Sequence, residues 1–203
     1  MQNINGDSDI LILSNNHVLA DENRGKGDDP IVQPCIADGG LVAEDVVAKL
    51  HHSTPLTPRK VNLFDCALAK LADGIPFDPR DLAKLGKLRG TRQEPPEIGA
   101  SVGKVGRTTG STRGIITAIE MDSLLVDYRL GTLRFDNQFE IESLDSAPFS
   151  QAGDSGSLVV DSENLGAGLL FAGSETGGHS DQGLTYAHPL GELLKFLKVQ
   201  VLH

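Results

Sequence analysis

The sequence predicts an all-β fold, and two observations predict it. The 203 residues include 23 glycines and 10 prolines but no tryptophan, a turn-rich composition. From residue 98 onward, short β-prone segments recur at 101–106, 114–120, 123–129, 132–141, 157–161, 165–172 and 183–188, separated by Gly, Asn, Asp or Ser. That supplies about six or seven strands, enough to close an antiparallel barrel.

The elements before and after that series are read in chain order. Ile10 to Leu13 is an apolar run ending at Ser-Asn-Asn, a strand leading into a turn that carries His17. Residues 21–30, DENRGKGDDP, form a charged loop. The stretch 45–52 reads as a strand, although 44–50 could also open a helix. Residues 61–71 read as a strand beginning near Asp65. The proline-rich stretch 73–97 is a linker with one short helix over 81–88. At the end, LGELLKFLKV (190–199) carries apolar residues at helical spacing and predicts a terminal amphipathic helix. The organisation expected is a first unit over 1–75, a linker over 76–97 and a second unit over 98–203.

Charge and cysteine usage exclude several classes. The formal net charge is −10, from 18 basic and 28 acidic side chains, which argues against nucleic acid and anionic membrane as partners. No apolar run approaches the length of a spanning helix. The start, MQNINGDSD, lacks a basic end and an apolar stretch, so no signal peptide is visible. Cys35 and Cys66 do not make a disulfide framework, and Cys66 reads as a small core residue. Together these favour a cytoplasmic location.

Three separated strings carry the chemistry. They are Leu13-Ser14-Asn15-Asn16-His17-Val18-Leu19, Phe64-Asp65-Cys66-Ala67-Leu68 and Ala152-Gly153-Asp154-Ser155-Gly156-Ser157. A serine hydroxyl is a weak nucleophile at neutral pH and needs an adjacent base. His17 suits that base, and Asp65 suits the carboxylate that fixes the imidazole tautomer. Gly153 permits a turn in which the N–H groups of Gly153 and Ser155 converge as an oxyanion hole.

On these strings the chain resembles the trypsin-like (chymotrypsin-fold, PA-clan) serine proteases. The order His, Asp, Ser and the gaps of 48 and 90 residues fit that family's layout. The His17 string is similar to that of bacterial Deg/HtrA-type proteases. ILSNNHVLA, GRTTG and GDSGSLVVD are also similar to bacterial relatives of the plant narrow-leaf trypsin-like protein. The resemblance spans about Leu11 to Leu190 and implies two antiparallel six-stranded-type β-barrels, a polypeptide substrate and a serine endopeptidase working through an acyl-enzyme. It implies a specificity pocket floored by Phe149, six residues before Ser155, with Gly173 in its wall. Without an acid at that floor, cleavage after Lys or Arg is not supported, and small or medium apolar residues are expected. It also implies that Asp154 needs a buried partner, for which Arg107, Gln138 and Arg134 are the options.

The resemblance leaves a shortfall. The part before the linker offers about four strands where the family barrel has six, so the first barrel reads as incomplete and the chain as truncated at its start. An open edge could pair with a second copy in a homo-oligomer.

Rival chemistries fit less well. An α/β-hydrolase elbow would need glycine where Ser157 stands; His188 would serve its order, with the histidine after the nucleophile, yet the alternating helices are missing, and neither His179 nor His188 is given a role. His51 and His52 lack a partner at metal-ligand spacing, loop 21–30 lacks EF-hand spacing, and 106–110 lacks the ending of a phosphate loop. No metal and no cofactor are expected. The rival of a different kind is a catalytically silent module that only binds a partner, and a fluorophosphonate label on Ser155 separates the two.

Overall fold

Short β-prone segments form the strands, and nearly all of them pair antiparallel. The structure, a computed structural model, describes residues 1–3 and 9–203. In chain order, the first half holds β1 (Gln2–Asn3), β2 (Leu11–Ser14), the one-turn helix α1 (Asn16–Leu19), β3 (Pro30–Val32), β4 (Val46–Ser53), β5 (Val61–Asn62), β6 (Ala67–Leu71) and β7 (Gly90–Thr91). Then follow β8 (Ser101–Gly106), β9 (Gly110–Met121), β10 (Leu124–Tyr128), β11 (Gly131–Phe135), β12 (Gln138–Ser143), β13 (Leu158–Asp161), β14 (Leu165–Gly173), β15 (Leu184–Pro189), α2 (Leu190–Leu197) and β16 (Val199–Gln200).

The second half closes a six-stranded antiparallel barrel in the order β13-β8-β9-β12-β15-β14, with β13 also pairing β14. Closure removes the free edges that an open sheet would expose. Its interior is filled by Val102, Ile116, Phe139, Ile141, Phe149, Val159, Leu170 and Ala187. Each such large side chain contributes roughly 1.5–3 kcal/mol on burial. Glycines leave the room the aromatics need: a Cβ on Gly114 would come 2.8 Å from the Phe149 ring, and one on Gly168 would come 2.4 Å from Phe139.

The first half forms a four-stranded sheet, β2-β6-β4-β3, so the incomplete first barrel of the sequence reading stands. The uncovered parts meet the same chain. At β2, Met1 N–H donates to Leu11 O at 2.8 Å and Leu11 N–H returns to Met1 O at 2.8 Å. Further on, β10 and β11 leave the second half as a hairpin, and β11 pairs in parallel with β5 through Arg134–Val61 and Phe135–Asn62. Leu133 and Phe135 of that hairpin pack on Leu56 and Phe171.

Two element expectations change. No helix forms over 81–88. Lys84 (φ +67°) and Gly86 (φ +105°) are left-handed, and Leu82 N–H closes a tight turn on Gly86 O at 2.8 Å. The expected strand 132–141 breaks into β11 and β12, because Asn137 (φ +60°) turns the chain. The segment 123–129, expected in the barrel wall, is instead one arm of the docked hairpin.

Candidate active site

His17 and Asp65 are brought together by the asparagines of the first string. Asn15 Nδ2 donates to Asp65 O at 2.8 Å, which ties the residue before α1 to the loop between β5 and β6. Asn16 Nδ2 reaches Thr54 O at 2.8 Å and Asn23 Oδ1 at 2.9 Å, while Asn23 Nδ2 reaches Leu56 O at 2.7 Å. The one-turn helix carrying His17 is thus held by side-chain amides, since a helix that short does not stand alone.

Asp65 is fully buried yet well supplied with donors. His17 Nδ1 lies 2.5 Å from Asp65 Oδ2, and His17 N–H donates to Oδ1 at 3.1 Å. The Tyr128 hydroxyl donates to Oδ2 at 2.8 Å. Burial alone would raise the Asp65 carboxyl. The hydrogen bond and the charge of His17, with the hydrogen bond from Tyr128, outweigh burial and hold it below the usual carboxylate range.

Behind Asp65 stands His188, which sequence reasoning left without a role. Asp65 N–H donates to His188 Nε2 at 2.9 Å, and His188 Nδ1–H donates to Gln138 Oε1 at 2.6 Å. The ring stacks on Phe171 at 3.9 Å between centroids. Complete burial pushes the imidazole down to about 3, so it is neutral.

Ser155 sits across the cleft in the turn between β12 and β13. The Asp154 N–H turns back to Gln151 O at 3.0 Å. The N–H groups on either side of it, Gly153 and Ser155, have no acceptor among the described residues. Gly153 has φ +98°, a conformation that a side chain resists. Ser155 and His17 line one cleft of about 720 Å³, and no hydrogen bond joins them among the described residues. The other lining includes Tyr128, Ser150, Gln151, Ala152 and Gly173.

The partner of Asp154 is none of the three expected residues. It is Lys104, fully buried, with Nζ 3.2 Å from Asp154 Oδ2. Arg107 turns outward to Asp38, Arg134 pairs with Asp136, and Gln138 serves His188. Asp154 also accepts from Thr109 Oγ1 at 2.7 Å and from the N–H groups of Gln151 (3.0 Å), Thr108 (2.7 Å) and Thr109 (3.2 Å). Burial raises this carboxyl, and the four donors together bring it below its ordinary range. Gly106-Arg107-Thr108-Thr109-Gly110 is therefore the turn that seats Asp154.

Phe149 also needs correction. Its side chain is 2 % exposed inside the barrel and does not line the cleft. The reason is the slot above Gly114, together with a 2.7 Å bond from Thr112 Oγ1 to Phe149 O that fixes the backbone. Its neighbour Ser150 faces the cleft and shares a 2.7 Å hydrogen bond with Thr185 Oγ1. Gly173 does line the cleft, where a Cβ would approach Leu184 O to 2.9 Å.

Cys66 is buried in the core, and burial pushes its thiol up to about 12. Among the described residues, no three His, Cys, Asp or Glu side chains are grouped to hold a metal ion. Nor is any described helix long and apolar enough to cross a membrane.

Comparison with solved structures places the fold. A chymotrypsin of Cellulomonas bogoriensis superposes with a TM-score of 0.61 at 19% identity, covering 94% of this chain and 84% of that one. A glutamic acid-specific serine protease, described as using a histidine triad in substrate binding, gives 0.64 at 19% identity over 95% and 86%. The HtrA-type protease AlgW, solved with a decapeptide, gives 0.54 at 22% identity over 95% of this chain and 48% of that one. The chain therefore has the chymotrypsin-like fold of trypsin-like serine proteases. No family model matches it, and no curated protein matches its sequence.

Proposed function

We propose that the chain is a serine endopeptidase acting through His17, Asp65 and Ser155. Ser155 Oγ attacks the substrate carbonyl carbon while His17 Nε2 takes the hydroxyl proton. The carbonyl oxygen becomes an oxyanion and accepts from the N–H groups of Gly153 and Ser155. Each such donor is worth roughly 3–4 kcal/mol of barrier. The intermediate collapses, His17 passes its proton to the departing amine, and Ser155 is left acylated. Water then attacks the acyl carbon as His17 takes its proton, and His17 returns that proton to Ser155 Oγ as the acid product leaves.

The observation that carries this reading is the pairing of two walls of one cleft. One wall presents an imidazole already bonded to a buried carboxylate. The other presents a serine whose own N–H, with that of Gly153, has no acceptor among the described residues. The buried Lys104–Asp154 pair lies next to Ser155 in that second wall.

Substrates are proposed to be polypeptides cut after uncharged side chains of small or medium size. Ser150 and Thr185 offer hydroxyls rather than an acid, and Gly173 leaves the wall open. The test is hydrolysis of a peptide library by the protein and by Ser155→Ala. Turnover by the first and loss of several orders of magnitude in the second are expected. Equal turnover would assign the activity to a contaminant. No turnover by either would favour a binding module.

A further inference from the structure

Asp65 is held by a residue that none of the three chemistry-bearing strings contains. Tyr128 ends β10, at the tip of the hairpin that docks on the first half. Its hydroxyl donates to the same oxygen, Asp65 Oδ2, that faces His17 Nδ1. The Tyr128 ring meets the His17 ring edge-on at 5.9 Å and leans on Phe135 at 6.0 Å.

The next two residues anchor the tip beside α1. Arg129 pairs with Asp21 and with Glu22 (3.3 Å), and Leu130 N–H donates to Glu22 Oε2 at 3.3 Å. The hairpin thus spans from the Ser155-bearing half to the loop just after His17.

We propose that Tyr128 is a positioning residue for the His17–Asp65 pair, carried across the cleft by the hairpin β10–β11. It fixes the carboxylate toward His17 and supplies the donor that water cannot supply to a fully buried oxygen. The proposal rests on the protease reading for its effect on rate, but its structural half stands without it. The phenol also tunes charge. A donor to Oδ2 stabilises the carboxylate, so its loss leaves an anion that binds the imidazolium more strongly.

Few titratable groups face the pair among the described residues. They are Tyr128 from β10, His188 from β15 and Cys66 beside Asp65, with Glu22 facing Tyr128 from the loop after α1. Burial and the Asp65 charge both push the phenol above its ordinary range, so it stays a donor through the neutral region.

The experiment uses Tyr128→Phe, which keeps the ring and removes only the hydroxyl. The first readout is the low-field proton resonance between His17 Nδ1 and Asp65, measured by NMR against the wild type. It needs no turnover. A clear displacement is expected, and an unchanged resonance would overturn the proposal. The second readout is the pH profile of peptide hydrolysis. We expect kcat to fall about tenfold with KM nearly unchanged, as for one lost hydrogen bond to a charged group. The acid limb should move to higher pH. A fall in KM-dependent binding alone, with the acid limb in place, would make Tyr128 a wall of the cleft and overturn the proposal. If the wild type hydrolyses nothing, the protease reading fails while the resonance still decides the role of Tyr128.

Discussion

Lowering the pH from 7 to 4 should unfold this protein partly through one residue, His188. In the folded chain its Nε2 accepts from Asp65 N–H and its ring lies between Phe171 and Phe64 (5.6 Å). A second proton would break the bond to Asp65 and put a charge in the core. The imidazole is accordingly pushed from 6.5 to about 3. The sign follows from proton linkage. Below 6.5 the unfolded chain takes up a proton at this site and the folded chain does not, so stability is lost as pH falls toward about 3. At roughly 1.4 kcal/mol per pH unit, the loss at pH 4 is about 3 kcal/mol. Asp65 and Asp154, whose carboxyls lie below their ordinary range, add their losses only under the usual carboxylate pKa. Urea unfolding at pH 7 and pH 4 measures this, with wild type and His188→Gln compared. Every other titrating group is common to both chains and cancels. The wild type should lose about 3 kcal/mol more than the variant over that interval. An equal loss in both would refute the assignment of a neutral, buried His188.

Three further outcomes follow from the serine wall. Lys104→Met leaves Asp154 buried without its cation, and should cost about 3 kcal/mol of stability, the low end of the range for a broken buried pair because four other donors remain; adding Asp154→Asn should recover part of it in the same urea titration. Gly153→Ala forces a side chain into φ +98° and within 2.5 Å of Thr108 Oγ1, so kcat should drop at least tenfold while the far-ultraviolet circular dichroism is retained. Peptide-library profiling should rank uncharged residues of small or medium size first; a strong preference for Arg would mean that an acid such as Glu175 at the cleft edge reaches the substrate.

Much of the fold was legible because strands and turns leave local marks. The segments 101–106, 157–161 and 165–172 match β8, β13 and β14 within a residue or two, since each is a short β-prone run bounded by Gly, Asp or Ser. The helix 81–88 was misread for a local reason as well. Leu82, Leu85 and Leu88 have helical spacing, yet Pro79, Lys84 and Gly86 fold the segment into a tight turn. Of the proposed site, motif and chemistry mark His17, Asp65 and Ser155 in the sequence, and the structure bonds His17 to Asp65 and sets Ser155 in the same cleft as His17. What surrounds them was not legible. Tyr128, Lys104 and His188 lie 63, 50 and 123 residues from the partners they serve, and no spacing rule spans such distances. Lys104 in particular sits in an ordinary strand pattern, and only the fold shows that its side chain points inward to Asp154. Phe149 was placed by counting back from Ser155, and counting does not show that its ring turns into the space above Gly114.

The central claim, an activated serine at position 155, is tested most directly by a fluorophosphonate probe and intact-mass and peptide mass spectrometry. The account predicts one adduct on Ser155 in the wild-type chain. Ser155→Ala should take up none, and His17→Ala should react slower by orders of magnitude, because the base that accepts the hydroxyl proton is gone. A wild-type chain that stays unlabelled under conditions that label trypsin, or that is labelled equally after either substitution, would contradict it.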